Sequence, residues 1–370
     1  MQTVIGVGSP QAVKRWANAL ADDTEKQMYF ARNGFIGKGG NYIIDRKVDL
    51  ESDEGDRIQF DLAMNLRGGM VEGDNVVEGT EEALTFYEDE VRIDQARKGA
   101  DAGGRMSRKR TLHDLRSIAK TKTARFVAEW FDELMIVYLS GTTDGINEDA
   151  KVTKSFAGNP IQAPDAYHMV YGGSATSKAS LTASHKMTRA LIERLSVKPR
   201  MMASTNPDVV KIEPVVVEGK KHYVLLMSPW QTHDLRTETG ELSWAGIQRE
   251  KTAHDGANNP LIKGGVGMLA GVVLHEHENV RRFSDYGVGS PGTVAAARAL
   301  FMGAQAGAVA YGQAGNGTRF TWVEELKDAK NRVSIYAGTI TGFKKTRFNG
   351  LDYGVIAVDT AATDPNPAVA

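Results

Sequence analysis

The sequence predicts an α+β fold, because strand-type and helix-type hydrophobic patterns follow one another along the chain. Apolar residues alternate strictly with polar or small ones over 58–66, which is typical of a half-buried strand. Over 107–140 they recur at three- and four-residue steps, which predicts one long helix. Near the end of the chain, Asn349-Gly350 lies between two strand-like runs and predicts a tight hairpin turn.

Composition narrows the class of protein. The 370 residues carry 45 Lys and Arg against 46 Asp and Glu, so the basic excess typical of a nucleic-acid clamp is absent. The absence of cysteine excludes disulfides and thiolate metal sites. No apolar signal-peptide core follows Met1. The most apolar long segment contains Arg298 and Gln305, so a buried helix is expected over 293–311, not a membrane span.

The chain is expected to begin with an extended arm over residues 1–45. This arm carries one short helix, and Trp16, Leu20 and the apolar cluster at 28–30 would dock it. The glycine-rich run at 33–40 is a poor sequence for regular secondary structure.

A long two-stranded hairpin is expected next. Its first strand is the alternating run at 58–66, and a glycine-rich acidic loop follows over 67–80. The second strand covers 84–93, with a bulge predicted where the alternation slips between Phe86 and Val91. Such a hairpin is marginally stable alone and needs a partner surface.

The long helix that follows has recognisable ends. Thr111-x-x-Asp114 is a candidate N-terminal cap, and Gly141 is a candidate C-terminal stop. At 1.5 Å per residue, a helix over 107–140 would span roughly 45–50 Å. The remaining elements are a helix over 178–195 that ends before Pro199, strands over 214–217 and 222–227 around the Glu218-Gly219 turn, a strand over 269–274, strands over 334–348 and 351–359, and a disordered tail from Ala361.

One glycine motif matches the G-x-G-x-x-G pattern of dinucleotide-binding proteins, at Gly287, Gly289 and Gly292. Two observations oppose that function. Pro291 removes a backbone N–H that would face the phosphate, and the next acidic residue, Glu324, lies too far along the chain to bind a ribose. We therefore expect an ordinary glycine turn that leads into a helix.

A histidine pair invites a metal interpretation, because His275 and His277 would share one face of a strand. A third ligand is not evident, and alternating polar residues at a solvated strand end explain the pattern as well. The chain has no G-x-S-x-G motif, and the glycine-rich run at 263–267 lacks the Gly-Lys-Ser/Thr ending of a P-loop. We expect no catalytic residue, no cofactor and no metal.

Charge placement is the most informative feature of the sequence. Acidic residues fill the hairpin region and basic residues follow directly at the start of the long helix. These groups could pair within one subunit, or an acidic arm could reach the basic helix end of a neighbour. The candidate inter-subunit contacts are Glu72, Asp74, Glu78, Glu81, Glu82, Arg105, Arg108, Lys109 and Arg110.

The order of these parts resembles the fold shared by tailed-phage and herpesvirus major capsid proteins. Local stretches further resemble the N4-like coat proteins of tailed phages, and together they span about residues 50 to 360. They are Asp56-Arg-Ile-Gln-Phe, Val77-Glu-Gly-Thr-Glu-Glu-Ala-Leu, Ile93-Asp-Gln-Ala-Arg, Asp114-Leu-Arg, Tyr223-Val-Leu-Leu-Met-Ser-Pro-Trp-Gln-Thr-His-Asp-Leu-Arg, Asn259-Pro-Leu-Ile-Lys-Gly-Gly-Val-Gly-Met, Gly303-Ala-Gln-Ala-Gly and Phe348-Asn-Gly-Leu-Asp-Tyr-Gly-Val.

The resemblance implies a major capsid protein that self-assembles into hexamers and pentamers around double-stranded DNA, and not an enzyme. Its parts would be an N-terminal arm (1–45), an extended β-hairpin loop (46–104), a peripheral domain with a spine helix (105–165 and 326–360), an axial domain (166–325) and a flexible tail (361–370).

The partners that the resemblance implies are further copies of the chain, portal and scaffolding proteins, a decoration protein, and packaged double-stranded DNA bound without sequence preference. No membrane is involved, and the protein would be a virion component assembled in the host cytoplasm.

Two other functions stay open from the sequence. One is an encapsulin-like shell, which shares the fold but encloses protein cargo. The other is a soluble α/β enzyme that uses the glycine turn or the histidine pair for a nucleotide or a metal.

Overall fold

The computed structural model describes residues 24–366 apart from 25, 52–54, 65, 67–68, 112, 146–149, 206–208, 239–247, 249–259, 290–291 and 313–318. The arm residues Trp16 and Leu20 lie outside the described residues, as does the last part of the tail.

The helices differ widely in length. They are α1 (Tyr29–Arg32), α2 (Arg105–Arg110), α3 (Leu115–Ser140), α4 (Arg189–Thr205), α5 (Pro229–Thr237) and α6 (Pro260–Lys263), with one 3-10 turn at Asp49–Glu51. None of the helices in the described ranges is long and apolar enough to cross a membrane.

The strands are β1 (Ile36–Gly37), β2 (Ile44–Lys47), β3 (Arg57–Ala63), β4 (Phe86–Arg92), β5 (Asp94–Asp101), β6 (Met169–Tyr171), β7 (Val215–Val217), β8 (Lys220–Met227), β9 (Gly267–Leu269), β10 (Val272–Glu276), β11 (Arg282–Tyr286), β12 (Val294–Met302), β13 (Gly307–Tyr311), β14 (Phe320–Lys327), β15 (Arg332–Lys345), β16 (Arg347–Phe348), β17 (Leu351–Asp352) and β18 (Val355–Ala361).

Two large sheets organise the subunit. The first has the order β1-β2-β13-β15-β14, with β5 paired to β15. The second has the order β6-β18-β12-β8-β10-β9. In addition, β11 pairs with β12, and β7 pairs with β8. A separate two-stranded pair, β3 and β4, forms the base of the predicted hairpin.

Each large sheet packs against one long helix. The helix α3 lies on the first sheet, where Phe131 and Leu134 are buried with Phe343 of β15. The helix α4 lies on the second sheet, where Leu195 is buried with Phe301 of β12. Both helices therefore bury their apolar faces, which is the main source of stability for helices in proteins.

The long helix is confirmed, but it begins later than predicted. The carboxylate of Asp114 accepts the backbone N–H groups of Arg116 and Ser117, so Asp114 is the N-terminal cap. Thr111 is extended, and it separates the short helix α2 from α3. The stop at Gly141 is confirmed, since this residue has the left-handed φ of 71° that favours glycine. The 26 residues of α3 span about 39 Å.

The predicted helix over 293–311 is wrong. The segment forms two strands, β12 and β13, which belong to different sheets. Nearly every side chain in both strands is buried, because the strands are central and covered on both faces. A strand of this kind is apolar at every position and loses the alternation that identifies strands in a sequence.

Other element boundaries also need correction. The predicted helix over 178–195 is replaced by α4, which starts eleven residues later and contains Pro199 in its interior. The predicted strand over 269–274 is two strands, β9 and β10, because Ala270 and Gly271 have positive φ values of 51° and 78° and reverse the chain. The tail begins later than predicted, since Ala361 and Ala362 are buried.

Candidate functional site

The base of the predicted hairpin is a regular antiparallel pair. Its register runs without interruption from Arg57 opposite Arg92 to Ala63 opposite Phe86. The predicted bulge between Phe86 and Val91 is therefore wrong. The alternation slips because Phe86 lies on the exposed face of β4, whereas Val91 lies on its buried face.

A projecting loop, which we define as residues 64–85, connects these two strands. Large apolar side chains along it are exposed, including Met70 at 96%, Val76 at 69% and Leu84 at 64%. Phe86, the first residue of β4, is also 55% exposed. A series of exposed apolar side chains on one thin loop is typical of a surface that another protein covers.

The five acidic candidates all lie exposed in the projecting loop. A side-chain oxygen of Glu81 accepts the backbone N–H of Gly79 at 2.7 Å, and this bond shapes the loop locally. Within the described ranges, Glu72, Asp74 and Glu78 form no ion pair with a basic side chain. The loop therefore carries surplus negative charge beside its apolar side chains.

The four basic candidates lie on the short helix α2, which is hydrogen-bonded to the turn between β14 and β15. The side-chain oxygen of Asn331 accepts the backbone N–H of Arg105 at 3.1 Å. The guanidinium of Arg108 donates to the backbone oxygen of Asn331 at 3.2 Å. Arg105, Lys109 and Arg110 are exposed, and none of them pairs with an acidic side chain among the described residues.

The acidic candidates lie on the projecting loop and the basic candidates on α2. No ion pair among the residues that the structure describes joins Glu81 to α2. A contact between these groups in neighbouring subunits stays a prediction.

One acidic residue of the hairpin region behaves differently from the rest. Asp89 is buried, and its carboxylate pairs with Lys344 and accepts the backbone N–H of Arg347 at 3.0 Å. In the sequence, Asp89 is simply one of the many acidic residues of the hairpin region. Its partners lie more than 250 residues away along the chain, so no local pattern could have identified its role.

The glycine motif leads into the strand β12 and not into a helix, contrary to our prediction, and Ser290 and Pro291 within it lie outside the described residues. Gly287 has a φ of 89°, and a Cβ atom on Gly292 would lie 2.1 Å from the backbone oxygen of Tyr286. Both positions therefore require glycine for backbone reasons. A phosphate cradle of the dinucleotide-binding kind needs a helix N-terminus at this point, and β12 provides none.

The two histidines differ in exposure: His275 is buried on β10, whereas His277 is half-buried just after the end of that strand. His275 accepts a hydrogen bond from the hydroxyl of Tyr29 at 2.9 Å through Nδ1, and Nε2 donates to the backbone oxygen of Leu261 at 2.8 Å. His277 packs edge-on against Tyr29, and burial lowers its pKa to about 4. Among the described residues, no three metal-ligating side chains converge.

Known proteins match this chain over nearly its whole length. The profile of a family described as phage capsid protein matches residues 4–364. The major capsid protein of Pseudomonas phage KPP25 is 28% identical over 361 residues, which cover 89% of this chain and 90% of that protein.

Solved structures show the same relationship. The capsid of Ralstonia phage GP4 is 50% identical, covers 100% of both chains and superposes with a TM-score of 0.85. The capsid asymmetric unit of Cyanophage Pam1 is 24% identical with a TM-score of 0.66, and it covers 89% of this chain and 91% of that chain. The fold that the sequence resemblance implied is therefore confirmed.

Proposed function

The chain belongs to the phage capsid protein family, and on this premise we propose which of its surfaces build the shell. It is a major capsid protein of a tailed bacteriophage, a structural component of the virion whose copies associate into capsomers. We propose that it has no catalytic activity of its own.

The projecting loop is the observation that carries the proposal. None of the described parts of the subunit covers its apolar side chains. These side chains carry no hydrogen-bonding groups, so an apolar face of a neighbour could bury them without breaking a side-chain hydrogen bond. Each square ångström so buried contributes about 25 cal/mol. The loop is therefore the surface through which one subunit holds the next.

Charge would set the register of this contact. The acidic side chains of the projecting loop meet α2 of the neighbouring subunit, where Arg105, Lys109 and Arg110 are exposed. A single exposed pair is worth only about 0–1 kcal/mol. A closed shell repeats every contact in each of its subunits, so weak pairs together steer assembly and make it sensitive to salt.

Charge reversal tests the contact. The variant Glu81→Lys with Glu82→Lys should fold as a monomer and fail to assemble, because it places positive charge against α2. Adding Arg108→Glu and Arg110→Glu in the same chain should restore part of the assembly, measured by sedimentation and electron microscopy.

A matched control reverses two exposed acidic residues outside the loop, Glu193→Lys and Glu218→Lys, and should assemble normally. Assembly that is indifferent to the Glu81 and Glu82 reversal would show that the charges play no part. Unfolding of the reversed monomer would show that the pairing is within the subunit.

Finer assignments belong to the same proposal. The quoted sequence stretches support membership of the N4-like coat proteins. We also propose portal and scaffolding proteins, a decoration protein and packaged double-stranded DNA as partners, with assembly in the host cytoplasm. An encapsulin-like shell is the alternative, and the genes next to this one distinguish the two, because portal and terminase genes accompany only a DNA-packaging capsid.

The proposed domains keep the predicted arm, extended loop, peripheral and axial parts, with one adjustment. The strands β5, β13 and β14 join β15 in the sheet that packs on α3. Residues 94–101 and 307–327 are therefore better grouped with the peripheral domain.

A further inference from the structure

Among the residues that the structure describes, the hairpin contacts the rest of the subunit at its base. Ile58 and Val91 are buried against Ala310, and the ring of Phe60 packs edge-on at 6.2 Å from Phe348. Beyond the pair formed by Phe60 and Asp89, the chain runs out into the exposed projecting loop. Its direction therefore depends on the few contacts that fix the base.

The loop also acts as a lever. Val77 lies twelve residues beyond Asp89, which corresponds to a reach of at most about 40 Å. A rotation of about 10° at the base would then move the tip by up to about 7 Å at that reach. Such a displacement is larger than a side chain contact tolerates, since apolar atoms must approach within about 4.5 Å.

The first of two polar anchors is the side-chain amide of Asn159, which is 2% exposed. Its oxygen accepts the backbone N–H of Arg92 at 2.9 Å, and its nitrogen donates to the backbone oxygen of Arg92 at 2.8 Å. The amide thus satisfies both backbone groups at the end of β4, as a neighbouring strand would. The backbone oxygen of Asn159 in turn accepts the hydroxyl of Tyr138 on α3 at 2.9 Å.

The second anchor is the carboxylate of Asp89, three residues earlier on β4. It holds Lys344 at the end of β15 and the backbone N–H of Arg347 at the start of β16. Charge-assisted bonds of this kind are stronger than neutral ones.

Close backbone packing fixes the same place. A Cβ atom on Gly342 would lie 1.8 Å from the backbone oxygen of Arg92, so β15 approaches β4 more closely than any other residue type would allow. The base of the hairpin is thereby held from two sides, by the segment that follows α3 and by the C-terminal strands.

We propose that Asn159 and Asp89 are positioning residues, which set the angle at which the hairpin leaves the subunit. They hold the projecting loop in the direction that a neighbouring subunit needs. This inference rests on the assembly role of the loop proposed above.

The test measures the direction of the loop in unassembled subunits. The chain contains no cysteine, so Val77→Cys and Lys122→Cys introduce unique sites for spin labels, one on the loop and one on the exposed face of α3. The distance distribution between the labels should show one narrow peak in the otherwise unchanged chain. Asn159→Ala and Asp89→Asn should each lose that peak and reduce the yield of regular shells.

The chain offers a matched control for each change. The amide of Asn41 makes the same pair of bonds to the backbone of Val216, at 2.8 and 2.7 Å, away from the hairpin. Asn41→Ala should therefore leave the peak unchanged. Asp61→Asn changes an exposed carboxylate just beyond the anchored pair and should also leave it unchanged.

A narrow peak that survives both Asn159→Ala and Asp89→Asn would overturn the proposal, and so would a broad peak with normal shell yield. If Asn159→Ala does not fold, Asn159→Asp keeps the acceptor and loses the donor. It also sets a carboxylate oxygen against the backbone oxygen of Arg92, so it should broaden the peak, and an unchanged peak would overturn the proposal. If deleting residues 69–84 leaves assembly intact, the assembly role of the loop fails, while the distance measurement still decides whether the anchors fix its direction.

Discussion

Asp359 is the acceptor at the centre of a buried polar network that joins α3 to the second sheet. It is fully buried on β18 and accepts two hydrogen bonds from the guanidinium of Arg298 on β12, both at 2.8 Å. The hydroxyl of Tyr286 donates to it at 2.6 Å. Arg298 also donates to the backbone oxygen of Ser140, the last residue of α3, at 3.0 Å.

The change Asp359→Ala should therefore be strongly destabilising. It leaves the buried charge of Arg298 without its partner and deprives Tyr286 of its acceptor. Breaking a buried ion pair from one side costs about 3–5 kcal/mol. A domain of ordinary stability has about 5–15 kcal/mol in total, so the variant loses a large share of its free energy of unfolding.

The matched double variant Arg298→Met with Asp359→Leu separates the loss of a charge partner from the loss of volume. It removes both charges and keeps apolar bulk, but it leaves the Tyr286 hydroxyl and the Ser140 backbone oxygen without these partners. It should therefore be less destabilising than Asp359→Ala, because no unpaired charge stays buried. Urea denaturation of the unassembled subunit, followed by tryptophan fluorescence, measures both variants. A cost below about 1 kcal/mol for Asp359→Ala, or an equal cost for the double variant, would refute the reasoning.

Two further predictions concern pH and aggregation. Burial raises the pKa of Asp132 to about 7, although the backbone N–H groups of α1 lower it in part, so the folded state loses stability as the pH rises from about 4 through 7. Asp132→Asn should remove this loss, so the variant should gain stability relative to the unchanged chain between about pH 5 and about pH 8. If the two proteins differ in free energy of unfolding by the same amount at both pH values, the prediction is wrong. Arg194 and Lys198 donate to the backbone oxygens of Tyr171 and Met169 on β6, the edge strand of the second sheet. Changing Arg194 and Lys198 to Ala should expose that edge to strand addition and produce aggregates that bind thioflavin T. A lower melting temperature without such aggregates would mean that the two side chains only attach α4 to the sheet.

The sequence alone determined the features that depend on local backbone chemistry. Asn349 and Gly350 have φ values of 52° and 72°, and Glu218 and Gly219 have values of 50° and 78°. Both pairs form the hairpin turns that were predicted. The stop at Gly141 is of the same kind. Gly141, Gly219 and the Asn349-Gly350 pair favour the stop or the turn by themselves, because glycine and asparagine accept a positive φ more readily than other residue types.

Half-buried helices and strands could also be predicted from the sequence, since one face of each is polar and the other apolar. The alternation over 58–66 predicted β3, and the helical spacing predicted most of α3. The N-terminal cap did not follow from the motif, because Thr111 and Asp114 both have side chains that can accept a backbone N–H. The structure assigns the cap to Asp114, because Thr111 is extended and ends α2 instead of beginning α3.

The tertiary structure alone decided which segments are covered on both faces and which distant residues meet. The segment 293–311 forms two central strands because other strands pair with both edges of each, and its composition suits a buried helix equally well. Asn159 and Arg92 are 67 residues apart, and Asp89 and Lys344 are 255 apart. Periodicity records the environment of a residue relative to its close neighbours in the chain, whereas these contacts exist only after the sheets have formed.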